Sequence, residues 1–122
     1  LALILPGARA TMYQLKVSVG WKPILWYVKG KYEGQSISDY ITNEQPEKDR
    51  FIWQQGEIGF AKIIQGFSRP GDLIVDPMCG TGTTGVAAVR MGRRFIGIDD
   101  DPARIANTKV RLDEISKTTS VG

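Results

Sequence analysis

Leu73-Ile74-Val75-Asp76-Pro77-Met78-Cys79-Gly80-Thr81-Gly82-Thr83-Thr84-Gly85 is the stretch on which the fold turns. Leu73, Ile74 and Val75 are apolar without alternation and too few for a helix, which predicts a strand over residues 73–75 with both faces apolar, as in the middle of a parallel sheet. Asp76-Pro77 ends it. Gly80, Gly82 and Gly85 follow in G-x-G-x-x-G spacing, and Val86-Ala87-Ala88-Val89 is small and apolar all round, as in a helix lying close on a sheet. After Gly92, Phe95-Ile96-Gly97-Ile98 predicts a second buried strand, and Asp99 stands at its end. Strand, glycine turn, helix and strand make a βαβ unit, so the fold class is α/β.

A ligand crossing such a strand end needs backbone without Cβ atoms, amides at a helix start, and a carboxylate for ribose hydroxyls. An adenosine-containing cofactor meets that description. A phosphate-binding loop of the G-x-x-x-x-G-K-S/T kind is excluded, because Thr84 and Val86 flank Gly85 and its lysine is missing. NAD and FAD fit the spacing, but Asp76 would set a carboxylate beside their pyrophosphate. S-adenosylmethionine carries an amino group and a sulfonium and no phosphate, so Asp76 becomes an asset, and the hydroxyls of Thr83 and Thr84 can bond its carboxylate. The electrostatics favour the methyl donor.

Outward from this unit, Pro102 suits a first helical position, and Asp99, Asp100 and Asp101 precede a helix that runs to about residue 115. Its apolar residues divide between two nearly opposite faces, Ala103/Ala106/Val110 and Ile105/Leu112/Ile115. Upstream, Phe60, Ile63, Ile64 and Phe67 form one apolar stripe at helical spacing, so residues 57–67 read as an amphipathic helix. Residues 29–50 are polar and read as a long loop. Tyr13, Leu15, Val17 and Val19 alternate with polar residues, and Ile24-Leu25-Trp26-Tyr27-Val28 is β-branched and aromatic. Together they predict a β-hairpin over residues 12–28. Arg90, Arg93 and Arg94 read as a solvated face.

The 122 residues suit a single domain, residues 1–122, and a net charge of +3 permits an anionic partner without demanding one. Histidine is absent, which removes histidine-based catalytic triads and the HExxH zinc helix. The single cysteine, Cys79, cannot form an internal disulfide; it reads as a buried small side chain in a reducing, cytoplasmic compartment. No apolar run approaches the roughly 20 residues of a membrane-spanning helix.

Asp76-Pro77-Met78-Cys79-Gly80-Thr81-Gly82-Thr83-Thr84 resembles the D-P-F-x-G-x-G-T-T cofactor motif of the amino-group DNA methyltransferases, which methylate adenine N6 or cytosine N4. Phe95-Ile96-Gly97-Ile98-Asp99 is similar to the next motif of that family. Trp53-x-Gln55, with the helix and Pro70-Gly71-Asp72 after it, is similar to the segment before the cofactor strand in members of permuted order, catalytic half first. Trp21-Lys22-Pro23 through Lys29-Gly30 resembles strands late in the catalytic half.

The resemblance implies a doubly wound, Rossmann-like methyltransferase sheet, of which this chain holds an incomplete, C-terminal, cofactor-binding part. It implies S-adenosylmethionine as cofactor, with Gln55, Asp76, Pro77, Cys79, Gly80, Gly82, Thr83, Thr84 and Asp99 around it. It implies double-stranded DNA as the partner of the full-length enzyme, with residues 29–50 as a target-recognition segment, in a phage or bacterial restriction-modification setting. The family's D/N/S-P-P-Y/W/F tetrapeptide, which holds the flipped base, is not in these residues, so catalytic side chains are expected elsewhere and the chain alone is expected to be inactive. The competing expectations are a methyltransferase of RNA, protein or small molecules, and a non-catalytic cofactor- or DNA-binding remnant.

Overall fold

The computed structural model describes residues 1–4, 10–12, 17–42 and 56–119. The chain groups into two compact units, Leu1–Gly66 and Phe67–Gly122.

In the first unit, β1 (Ala2–Ile4) is the centre of a three-stranded sheet in the order β4-β1-β5. Strand β4 (Trp21–Pro23) pairs antiparallel with β1, placing Pro23 opposite Ala2. An edge strand accepts a proline because its missing N–H falls where no ladder bond is needed. Strand β5 (Tyr40–Thr42) runs parallel to β1 and buries Ile41. A second, separate pair joins β2 (Ala10–Met12) to β3 (Val17–Val19). Helix α1 (Glu57–Phe67) forms as its apolar stripe predicts and buries Ile64, and the Lys62 ammonium donates to the Thr42 carbonyl at 3.2 Å.

Two expectations for this unit are corrected. The hairpin over residues 12–28 does not form as read: Met12 and Val17, both assigned to its first strand, are register partners in two different strands. Residues 24–28 are not a strand at all, and Leu25 and Tyr27 are largely exposed. Alternation says which face a residue takes; it does not say where the chain reverses. The polar loop over residues 29–50 also contains a strand, β5, for which Ile41 was the only apolar anchor.

The second unit follows the βαβ expectation. Strand β6 (Leu73–Asp76) and β7 (Arg94–Gly97) pair in parallel, from Leu73 opposite Arg94 to Asp76 opposite Gly97. Helix α2 (Thr83–Arg90) lies on both strands and buries Gly85, Val86, Ala87 and Ala88. Small side chains bring helix and sheet together: a Cβ on Gly85 would stand 2.5 Å from the Phe95 ring. Helix α3 (Pro102–Thr119) packs on α2. Of its two candidate faces the inner one carries Ile105, Thr108, Leu112 and Ile115, while Ala103, Ala106 and Val110 are exposed.

Among the described residues, only one face of the β6–β7 pair is covered. Leu73, Val75, Ile96 and Ile98 on the other are 45% to 54% exposed, so the strands are apolar on both faces but buried on one. The arginines divide likewise. Arg93 is 8% exposed and not part of a solvated face: its guanidinium donates to Ser68 Oγ at 3.1 Å, the Ser68 carbonyl at 2.7 Å and the Met91 carbonyl at 2.7 Å. Three bonds satisfy a buried cation and tie the start of the unit to the turn before β7.

Candidate cofactor site

The turn between β6 and α2 sits at the carboxyl ends of both parallel strands, where ligands of open α/β sheets bind. Backbone bonds hold it there. Ile98 N–H donates to the Asp76 carbonyl at 2.9 Å, Cys79 N–H to the Ile98 carbonyl at 2.9 Å, and Gly82 N–H to the Cys79 carbonyl at 2.8 Å. Asp76, the last residue of β6, accepts the Met78 N–H on Oδ1 at 3.1 Å, which turns the chain at Pro77. Gly82 caps α2 without a side-chain bond, so the first-turn amides of Thr83 and Thr84 have no acceptor within the helix.

The three glycines are required for three different reasons. Gly80 has φ +53°, and a Cβ there would meet nothing within 4 Å: its α-carbon faces open space. Gly82 has φ +80°, and its Cβ would stand 2.6 Å from Thr108 Cγ2, so the place of its side chain is already taken by α3. Gly85 makes room for Phe95. Only Gly80 faces a space that a ligand could use; the other two shape the turn.

Asp99 is the pivot of the site. Its side chain is 5% exposed; Oδ2 accepts the Gly80 N–H at 2.8 Å, and Oδ1 accepts the Asp101 N–H at 3.0 Å. Arg104 adds a longer ion pair at 3.8 Å. The Asp101 and Gly80 amides, with the Arg104 charge, outweigh burial and hold the Asp99 carboxyl below the usual carboxylate range. Asp101 caps α3, accepting the Ala103 N–H on Oδ1 at 2.8 Å.

Cys79 is buried and contributes backbone rather than side chain. Its Sγ lies 2.9 Å from where a Cβ of Gly97 would be, and burial first, then the charges of Asp76 and Asp99, push the thiol up from its ordinary value. Such a thiol stays protonated and is a poor nucleophile. Of the expected site residues, Asp76, Pro77, Cys79, Gly80, Gly82, Thr83, Thr84 and Asp99 therefore gather on one turn and the two strand ends beside it. Gln55 lies outside the described residues.

Two residues that sequence reasoning missed also reach this turn. Thr108 Oγ1 donates to the Gly80 carbonyl at 3.0 Å, and the Arg111 guanidinium donates to the Thr81 carbonyl. The available signal was Thr108 itself, a polar residue at helical spacing between Ile105 and Leu112. Among the described residues no cluster of His, Cys, Asp and Glu could hold a metal ion, and no helix is long and apolar enough to cross a membrane.

A parallel β6–α2–β7 unit with a glycine turn and carboxylates at both strand ends is of the α/β class whose ligands lie at the strand termini. Comparison with known proteins narrows the class. The N6_N4_Mtase family, described as DNA methylase, matches residues 59–109. The chain is 43% identical over 91 residues to the type II methyltransferase M2.DpnII of Streptococcus pneumoniae, covering 70% of this chain and 34% of the relative. It is 43% identical over 87 residues to the type II methyltransferase M2.LlaDCHI of Lactococcus lactis subsp. cremoris, covering 67% and 32%. The crystal structure of the M1.HpyAVI–SAM complex shares the fold, with a TM-score of 0.60 at 22% identity over 92% of this chain and 59% of that one. Over the matched residues the chain is similar to the DNA methylases of this family. It spans about a third of the length of these curated relatives.

Proposed function

We propose that the turn binds S-adenosylmethionine and that this chain is the cofactor-binding part of an enzyme that methylates the exocyclic amine of adenine (N6) or cytosine (N4) in double-stranded DNA. The carrying observation is a turn that starts at the strand-end carboxylate Asp76, is bonded to the strand-end carboxylate Asp99 through the Gly80 N–H, and has open space at the Gly80 α-carbon. A dinucleotide would bring a pyrophosphate to Asp76; a sulfonium and an ammonium are attracted to it. Bound there, the cofactor supplies an electrophilic methyl group on a cationic sulfur.

The chain's own residues position and neutralise. Asp76 balances the positive charge. Thr83 and Thr84 offer hydroxyls and helix-start amides to the cofactor's carboxylate. Asp99 accepts ribose hydroxyls: an ionised carboxylate has about four lone-pair sites, and two amides occupy only two of them. Pro77 and Cys79 contribute turn backbone. The base-holding tetrapeptide belongs to the other half of the permuted, doubly wound sheet, so what these residues contribute to rate is proximity, and alone they do not methylate. The enzyme works in the cytoplasm, where its DNA is.

Calorimetry with S-adenosylmethionine and, separately, NAD tests this. The methyl donor should bind and NAD should not. Asp76→Asn keeps an oxygen for the Met78 N–H and removes the charge, and should weaken the methyl donor by about ten-fold or more, the worth of one charged contact. Preference for NAD would overturn the assignment.

A further inference from the structure

We propose that Thr108 and Arg111 are positioning residues for the cofactor, holding the glycine turn from behind so that α3 sets the shape of the pocket floor. The proposal rests on the cofactor assignment above. Thr108 is 6% exposed and 28 residues from Gly80 in sequence, yet its hydroxyl donates to the Gly80 carbonyl at 3.0 Å and its methyl stands where a Gly82 side chain would be. One turn along the same helix, Arg111 donates to the next carbonyl, that of Thr81. From the opposite side Asp99 accepts the Gly80 N–H at 2.8 Å. Gly80 is thus gripped by side chains at both its N–H and its C=O, while its α-carbon faces open space.

The turn needs this grip because it has little of its own. Gly80 and Gly82 both have positive φ, and α2 begins without a side-chain cap. An unconstrained glycine segment has many conformations to lose on binding, and fixing it beforehand removes that cost from the affinity. Helix α3 can serve as the clamp because its own start is tied to the same carboxylate: Asp99 accepts the Asp101 N–H and pairs with Arg104. The residue proposed for the ribose and the helix that holds the turn are one connected structure.

The test uses the whole chain with Thr108→Val, which keeps the shape and loses the hydroxyl, Thr108→Ser, which keeps the hydroxyl, and Arg111→Met, at a half-buried site. Amide hydrogen exchange is followed without ligand, and S-adenosylmethionine affinity is followed by calorimetry. Thr108→Val should accelerate exchange at Gly80, Thr81 and Gly82 by about ten-fold and weaken binding by a similar factor, as expected for one buried hydrogen bond. Amides of β6 and β7 should stay within about two-fold of wild type, since their ladder is untouched. Thr108→Ser should restore both readouts, and Arg111→Met should move both in the same direction by about three-fold, for a more exposed bond. Unchanged turn exchange, or acceleration spread evenly through the unit, overturns the proposal. Wild-type affinity with none lost in Thr108→Val and Arg111→Met overturns it alone. A wild-type chain that does not take up S-adenosylmethionine overturns the cofactor assignment and with it any positioning role, and the exchange pattern then reports only whether α3 holds the turn.

Discussion

Phe67–Gly122 and Leu1–Gly66 use strands of similar length, three or four residues, but join them by opposite strategies. In the later unit β6 pairs with the next strand in the chain, across a turn and one helix, and every connection is itself a packed element. In the earlier unit β1 pairs with β4 on one side and β5 on the other, neither adjacent to it in sequence. Local contacts specify the first arrangement and the β2–β3 pair, whereas the β4-β1-β5 sheet depends on distant segments meeting. The difference also separates two kinds of glycine. The Cβ position of Gly82 is filled by Thr108, whereas Gly30, with nearly the same φ, has nothing within 4 Å of its Cβ position.

That contrast gives the largest expected effect. Gly82→Ala must carry a Cβ at positive φ and displace Thr108, whose Cβ and Cγ2 lie close to its own backbone, so a loss of about 3–5 kcal/mol is expected from strain plus overpacking. Gly30→Ala has only the conformational strain, about 1–2 kcal/mol. Urea unfolding of the two variants side by side measures the gap. Equal losses would mean that the turn yields to Thr108 and that the two units are alike at this level.

Next in size is Arg93→Met. It leaves the Ser68 and Met91 carbonyls without their buried donor, an expected loss of about 2–3 kcal/mol by the same unfolding curves. In the earlier unit Ile41→Ala removes the buried anchor of β5, at a cost of about 2 kcal/mol, the low end for a core isoleucine. The two variants can be told apart by probe. Trp21, Trp26, Trp53 and all four tyrosines lie within Leu1–Gly66, so fluorescence reports that unit, while α2 and α3 dominate the helical circular dichroism. Ile41→Ala should shift the fluorescence transition more than the dichroism one, and Arg93→Met the reverse. Coincident shifts would show one cooperative structure.

How much of this was legible follows the same division. The strand–turn–helix–strand order, the start of α3 at Pro102 and the α1 stripe were readable because each depends on residues within a turn or two of one another. Partners were not: nothing in Ile41 says that it lies beside Leu3, and nothing in Val17 says that it lies opposite Met12. At the site, spacing marked all three glycines for a ligand, but only the packing distinguishes Gly80, which faces space, from Gly82 and Gly85, which face Thr108 and Phe95. The arginine cluster misled for a related reason. Composition suggests solvent, whereas Arg93 is buried because three acceptors from two turns converge on it.

The smallest expected effect bears on whether the turn is held electrostatically. Asp99 is kept below the ordinary carboxylate range by the Asp101 and Gly80 amides and by Arg104, so its folded pKa lies under its unfolded one. Its contribution to stability is then present above the ordinary carboxylate range and is lost as pH falls through the lowered folded value. Cys79, across the same turn, has the opposite sign. Its thiol is raised by burial and by Asp76 and Asp99, so its contribution is complete below the ordinary thiol range and lost as pH rises through the raised folded value. Asp99→Asn should therefore be less stable than wild type at neutral pH, with the gap closing as pH falls through the lowered folded value. It should also speed Cys79 alkylation slightly, because one of the charges that keeps the thiol protonated is gone. A gap that persists unchanged into acid would show that Asp99 holds Gly80 by shape alone, and its charge would then have to be explained by what the site binds.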